Sequence, residues 1–375
     1  MQRAALLLCL SLAACVHEAP ATSTTPALDQ RQVTALVPAK LKDRAAWADD
    51  VVAAIRLTNK EPTAERVCAV LAIIEQESGF AVDPVVASLP SVVKKGLVKR
   101  LEKLGPLAEP MLAAVLEGKA PGDVETFGQR LEKLHTERDL DRLFRDVAKA
   151  YRDELPGPLS MLGAGAIEQF NPVTTAGSMQ VKVTFAKKLA DGEGLDDDGL
   201  RELLYTRAGG VRFGTARLIG YPASYDDVVY RFADYNAGVY ASRNAAFQEM
   251  LGAVTGVRLV PDGDLLHYGS DDKPSDKPSA SLKALLAFGA AHELSSSTIN
   301  SDARKEKSQA FEQTASWKAV RAAWSTSTGK AAPYARIPEV TLSSPKMARA
   351  RTTAWFASSV DKRYKACRLK LAPPR

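Results

Sequence analysis

Between Pro62 and Gly79 the apolar residues Val67, Val70, Leu71 and Ile74 recur at i, i+3, i+4 and i+7. That spacing has the period of an α-helix and puts all four side chains on one face, which must be buried. The next step of the stripe lands on Glu77. A carboxyl at the end of a buried face is costly to ionise, so it is expected to hold its proton to unusually high pH. Elsewhere glycine and proline fall mostly between amphipathic stretches, and clean alternation is scarce. The pattern predicts a mainly α protein. Helices are expected over 44–57 and 63–78, then a long helical block over 81–165 broken at Gly105-Pro106 and Pro121-Gly122. Beyond a polar linker at 269–281, further helices are expected over 282–292, 303–326 and 344–364, with Trp317, Trp324 and Trp355 as core residues.

The composition fits such a fold. Of 375 residues, 46% are hydrophobic and 25% charged, which excludes a disordered or collagen-like chain. The net charge of +6 favours an anionic partner without choosing one. With four histidines and no Cys/His cluster, no metal centre or other cofactor is expected, and without a dense Lys/Arg run no nucleic-acid partner is expected.

The N-terminus is read as an address rather than as part of the fold. Arg3 precedes the apolar stretch Ala4–Leu12, whose nine residues are about half of the roughly 20 a membrane-spanning helix needs. It runs into Leu12-Ala13-Ala14-Cys15, which resembles a bacterial lipobox. The resemblance implies that residues 1–14 are a lipoprotein signal peptide and that Cys15 is lipidated, attaching the chain to a membrane. Val16, in place of Asp after the cysteine, implies the outer membrane by the sorting rule of such lipoproteins, with the protein facing the periplasm. Residues 15–30 read as a tether. Cys68 and Cys367 are then the cysteines of the mature chain. An oxidising envelope permits them to pair, but the sequence carries no distance to decide it.

Three segments carry the chemistry: Glu75-Gln76-Glu77-Ser78-Gly79, Gly177-Ser178-Met179-Gln180, and Ala233-Asp234-Tyr235-Asn236-Ala237-Gly238, the last preceded by Arg212-Phe213-Gly214-Thr215-Ala216. In this order they resemble the lytic transglycosylases, a family with a lysozyme-like fold. The chain as a whole also resembles uncharacterised envelope lipoproteins related to YaiW. The first resemblance implies cleavage of the MurNAc–GlcNAc bond of peptidoglycan with a 1,6-anhydro product. Glu77 would be the catalytic acid and base, oriented by Ser78. Gly177, Met179 and Gln180 would line the cleft, Tyr235 would hydrogen-bond Glu77, and Asn236 would hold the loop or the sugar.

The expected architecture is a lysozyme-like domain from 31–80 and 166–268, a helical insert over 81–165, and a C-terminal helical extension over 282–375. The chain departs from the motif at Ser178, where Leu is usual, at Asp234, where Ala is usual, and in the 98 residues from 79 to 176. That long insert, placed straight after Glu77, motivates an alternative: a non-catalytic lipoprotein that binds glycan or protein through the same fold. Glu168 is a second carboxylate that could support hydrolysis by facing Glu77, whereas Glu75 is expected on the surface.

Overall fold

The computed structural model describes residues 25–151, 171–225, 227–269, 273–342 and 350–371. The signal peptide, Cys15, most of the tether and Glu168 lie outside the described residues. The described chain is mainly helical, with two short two-stranded ribbons, and its apolar side chains form three clusters.

The first cluster is built around α3 (Ala64–Glu77), packed by α1 (Gln30–Leu36) and α2 (Arg44–Leu57). Thr63 caps α3, its hydroxyl accepting from the Arg66 N–H. Every residue of α3 from Val67 to Ile74 is buried. The helix is therefore wrapped on more faces than the single stripe that the sequence reveals.

The segment after Phe80 forms the second cluster. Here α4 (Leu89–Leu101), α5 (Ala108–Glu117), α6 (Phe127–Glu132) and α7 (Glu137–Ala150) enclose Leu89, Phe127, Leu131, Leu140 and Leu143. Thr126 with Gln129, and Thr136 with Asp139, close capping boxes that fix the starts of α6 and α7. The expected break at Gly105 is present, at φ +59°.

A hairpin of β1 (Thr175–Ala176) and β2 (Val181–Lys182) returns the chain to α3, pairing Ala176 with Val181. It leads into α8 (Val183–Leu189), α9 (Asp197–Leu204), α10 (Arg207–Ile219) and α11 (Val229–Ala237). Helix α10 packs across α2 and α3. The third cluster comes from α12 (Ala241–Thr255), α13 (Ala280–Ala291), α14 (Ser296–Ala303) and α15 (Ala315–Thr328). At its centre Phe247 lies 5.1 Å from Phe311 and 5.7 Å from Trp317 between ring centroids. The second ribbon, β3 (Thr341–Leu342) with β4 (Arg351–Thr352), feeds α16 (Thr353–Leu369).

Helix α16 leaves its sequence neighbours and packs on α3 and α11 in the first cluster. Cys367 near its end is bonded to Cys68 in α3, with Cα atoms 5.6 Å apart and a sequence separation of 299.

Two expected helices are corrected. The stretch 303–326 is not continuous. Asp302 accepts from both the N–H and the hydroxyl of Ser316, and Thr314 caps a new helix by accepting from the Trp317 N–H. Of the expected 344–364, residues 344–349 lie outside the described residues; Arg351 and Thr352 are strand, and the helix starts at 353, where Thr352 caps it through the Trp355 N–H. Trp355 is not a core residue: it is 39% exposed, with the Arg351 guanidinium 4.2 Å from its ring centre. The caps Thr314 and Thr352 set where these two helices begin, which apolar spacing does not reveal.

Because the disulfide closes so long a loop, removing it should be felt in the unfolded chain. Replacing Cys68 and Cys367 together by alanine is expected to lower the unfolding free energy by about 2–5 kcal/mol in urea melts. An unchanged midpoint would mean that packing alone holds α16.

Candidate functional site

Glu77 is the last residue of α3, and the chain turns sharply behind it. The Ser78 N–H and Oγ both donate to the Ile74 carbonyl, at 3.1 Å each, and the Gly79 N–H donates to the Glu75 carbonyl at 3.2 Å. Gly79 and Phe80 then take left-handed backbone angles, φ +59° and +70°. A left-handed phenylalanine is strained. Its ring is buried edge-on against Trp47, 5.2 Å away, and that packing holds the turn. Glu75 is exposed, as expected. Glu77 retains partial access while closely surrounded. Desolvation pushes its carboxyl up to about 8. The Arg217 charge opposes that rise and the Glu137 charge adds to it.

The turn Gly177–Gln180 of the first ribbon shares neighbours with Glu77: Gln180 bonds Glu137, whose charge acts on Glu77, and Met179 bonds Tyr235, on which the Glu77 charge acts. Gly177 has φ +77°, and a Cβ there would come within 2.2 Å of the Leu204 carbonyl oxygen. Glycine is thus required by the close approach of α9 and by the backbone angle together. Ser178 is fully buried beneath Gly210, where a Cβ would meet its Oγ at 2.9 Å. The small side chain, where Leu is usual in the motif, lets α10 lie directly on the turn. Met179 is also fully buried, filling the space that a side chain on Gly214 would take. Gln180 has φ +48°; its Oε1 accepts from Thr175 at 2.9 Å, and its amide donates to Glu137 and to the Gly177 carbonyl, both at 3.3 Å.

Helix α11 braces the turn from behind. The Tyr235 hydroxyl donates to the Met179 carbonyl at 2.6 Å. The Tyr235 carbonyl accepts from Arg217 Nη2 at 2.9 Å and Nε at 3.2 Å. Asn236 accepts from the Thr353 hydroxyl at 2.9 Å, joining α11 to the start of α16. Asp234 is buried and accepts from the Tyr221 and Tyr225 hydroxyls at 3.0 and 2.6 Å and from the Tyr240 and Ser242 N–H groups at 3.1 and 2.6 Å. A single aspartate therefore fixes the turn from α11 into α12.

Residues 81–151 reach this site through Glu137, the buried first residue of α7. Helix α7 is clamped to α9 by charge. Arg138, Arg142 and Arg145 all bond Glu202, at 2.7, 2.8 and 2.5 Å, and hold that carboxylate well below its ordinary range. The buried Asp141 is paired with Arg201 at 2.5 Å and with Arg145 at 3.3 Å. Converging hydrogen-bonded pairs of this kind fix geometry better than isolated surface pairs.

A family model described as "Protein of unknown function (DUF1615)" matches residues 40–370. The chain belongs to this family. It is 37% identical over 366 residues, 96% of each chain, to the Escherichia coli (strain K12) protein described as "Uncharacterized protein YaiW". No solved structure matches. The DUF1615 match runs through the segment carrying Glu137 and through the whole of α16, so both fall within the family's unit.

Of the residues singled out from sequence, Gln180 and Met179 are linked to Glu77 through Glu137 and Tyr235, and none of them makes the contact expected of it. The Tyr235 hydroxyl goes to the Met179 carbonyl, Ser78 to the end of α3, Asn236 to Thr353, and the Met179 side chain to the core. Gly177 serves the packing of α9. Sequence reasoning missed Glu137 and Arg217 as neighbours of Glu77. Arg217 stood in the Gly-Thr-Ala helix as a clue, whereas Glu137 lies sixty residues from Glu77 in sequence without a motif around it. Among the described residues no cluster suited to a metal ion occurs.

Between its ordinary value of 4.5 and about 8, the folded protein keeps a proton on Glu77 that the unfolded chain has released. Stability must therefore fall as pH rises through that window. Glu77→Gln removes this contribution, so the variant's melting temperature relative to wild type is expected to climb from pH 5 to pH 8.5. Glu306, pushed to about 7 by burial, acts with the same sign in both proteins and cancels. A constant difference across the range would show that Glu77 ionises normally.

Proposed function

We propose that this DUF1615 protein is a peptidoglycan lytic transglycosylase with a lysozyme-like core built from 31–80 and 166–268. On this reading residues 81–165 are an insert, helical as far as the described residues reach at 151, and Cys15 anchors the chain by lipid to the outer membrane on its periplasmic side. The observation that carries the reading is Glu77: a carboxyl pushed up to about 8, still partly accessible, linked through Glu137 and Tyr235 to the Gly177–Gln180 turn.

An acid held near its neutral form at physiological pH suits protonation of a glycosidic oxygen. In the first step Glu77 gives its proton to the oxygen between MurNAc and GlcNAc, and the bond from that oxygen to the MurNAc anomeric carbon breaks. In the second, the Glu77 carboxylate takes the proton of the MurNAc C6 hydroxyl as that oxygen bonds the anomeric carbon. The 1,6-anhydro ring closes, Glu77 is protonated again, and no water is consumed. Arg217 favours the ionised form of Glu77 and Glu137 the protonated form, so the two tune one group that serves as acid and then base. Ser78, Gly177, Met179, Gln180, Tyr235 and Asn236 act by shaping the wall rather than by proton transfer.

A second reading is a lipoprotein that binds glycan or protein without turnover. The internal bonds of Gln180 and Tyr235 favour it, because those polar groups are occupied within the protein.

Digestion of peptidoglycan sacculi followed by mass spectrometry separates these readings. Wild type is expected to release anhydro-muropeptides, and Glu77→Gln to lose at least a hundredfold in rate, the usual scale for a general acid. Glu137→Gln is expected to retain activity with its high-pH limb moved to lower pH. Hydrated ends would indicate hydrolysis, with Glu137 as the second carboxylate to test. No product from folded wild type, with glycan still bound by Glu77→Gln, would favour the binding reading.

A further inference from the structure

Helix α3 has a second site of interest at its opposite end. From Arg66 to Glu77 the helix rises roughly 16 Å at about 1.5 Å per residue, so this region is separate from the carboxyl site. A cavity of about 410 Å³ opens between the start of α3, the approach to α11 and the side of α16. Three cations line it: Lys60 just before α3, Arg66 in its first turn, and Arg231 in α11.

Their surroundings leave positive charge in excess. Arg231 is held by the carbonyls of Leu218 and Tyr221, and Arg66 by the carbonyl of Glu61, which are neutral acceptors. Two carboxylates also line the cavity, both on exposed residues. Glu65 pairs with Arg368 at 3.3 Å, and Asp227 accepts from the Val229 N–H at 2.9 Å. Among the described residues none of the three cations forms an ion pair. Burial first, then the charges of Arg231 and Arg66, hold the Lys60 amine below the ordinary lysine range. Gathering three like charges around one hollow costs free energy that an anion would recover.

We propose that Lys60, Arg66 and Arg231 form an anion-binding site for a phosphate ester. Phosphate suits it better than a carboxylate, because its several oxygens and up to two negative charges can meet an ammonium and two guanidinium groups at once. The cavity is larger than a bare phosphate needs. Tyr225 and Tyr364 supply aromatic walls for the organic part, the Tyr225 hydroxyl being already committed to Asp234. The ester is either a soluble molecule or a lipid headgroup, which present the same group.

The test uses the full-length purified chain, titrated with inorganic phosphate at constant ionic strength and followed by calorimetry and melting temperature, with acetate as the carboxylate control. Phosphate is expected to bind and to stabilise the protein more than acetate does. Lys60→Gln, which breaks no hydrogen bond or ion pair among the described residues, and Arg66→Gln should each weaken that binding at least tenfold. Vesicles of phosphatidylglycerol then assign the source. Vesicle binding lost in Lys60→Gln points to a headgroup, whereas vesicle binding unchanged by the substitution points to a soluble ester. The proposal is overturned if phosphate does no more than acetate, if both variants bind it like wild type, or if only vesicles respond, since that would be surface charge without a built site.

Discussion

Burial of α3 is the constraint on which the rest of the structure depends. Once Val67 to Ile74 are surrounded on every side, Glu77 at the helix end keeps only partial access to water, and desolvation favours the protonated form of its carboxyl. The neighbours are arranged around that requirement. Helices α2 and α10 cover one flank, α16 covers another and is bonded to it at Cys68, and the turn behind Glu77 is locked by a left-handed Phe80 seated on Trp47. Stability and chemistry are coupled here: the packing that makes the core also sets the acid.

Two charges compete over Glu77, and they come from different parts of the chain. Arg217 belongs to α10 and is itself anchored on the Tyr235 carbonyl. Glu137 belongs to the segment between the motifs and is positioned by the Arg138–Arg142–Arg145 clamp on Glu202. The intervening segment is therefore more than a spacer. Its α7 brings a buried carboxylate to the Gly177–Gln180 turn, so a change at the α7–α9 contact would be transmitted to the electrostatics of Glu77.

Much of this was legible in the sequence, for physical reasons. The i, i+3, i+4, i+7 stripe gave α3, and the misplacement of a carboxylate at its end singled out Glu77. Residues 44–57 were legible as α2 because the pattern is regular and uninterrupted. Contacts between distant segments were not legible. Nothing local marks Glu137 as a neighbour of Glu77, or Asp234 as the acceptor for two tyrosines and two backbone amides. The helix expected over 303–326 failed because Asp302 and Thr314 satisfy backbone and side-chain donors in ways that apolar spacing ignores. The motif puts the Tyr235 hydroxyl on the Glu77 carboxyl, whereas it donates to the backbone carbonyl of Met179. Such a choice depends on ångström-scale geometry that a motif does not contain.

The central claim is that Glu77 is a protonated acid at neutral pH, and the most direct test is its own titration. With glutamate labelled at the carboxyl carbon, and the Glu77 resonance identified by its loss in Glu77→Gln, the ¹³C shift can be followed from pH 3 to pH 10. The account predicts a midpoint near 8. A midpoint near the ordinary 4.5 would contradict it, because a carboxylate already ionised at neutral pH could not donate the proton on which the proposed reaction begins.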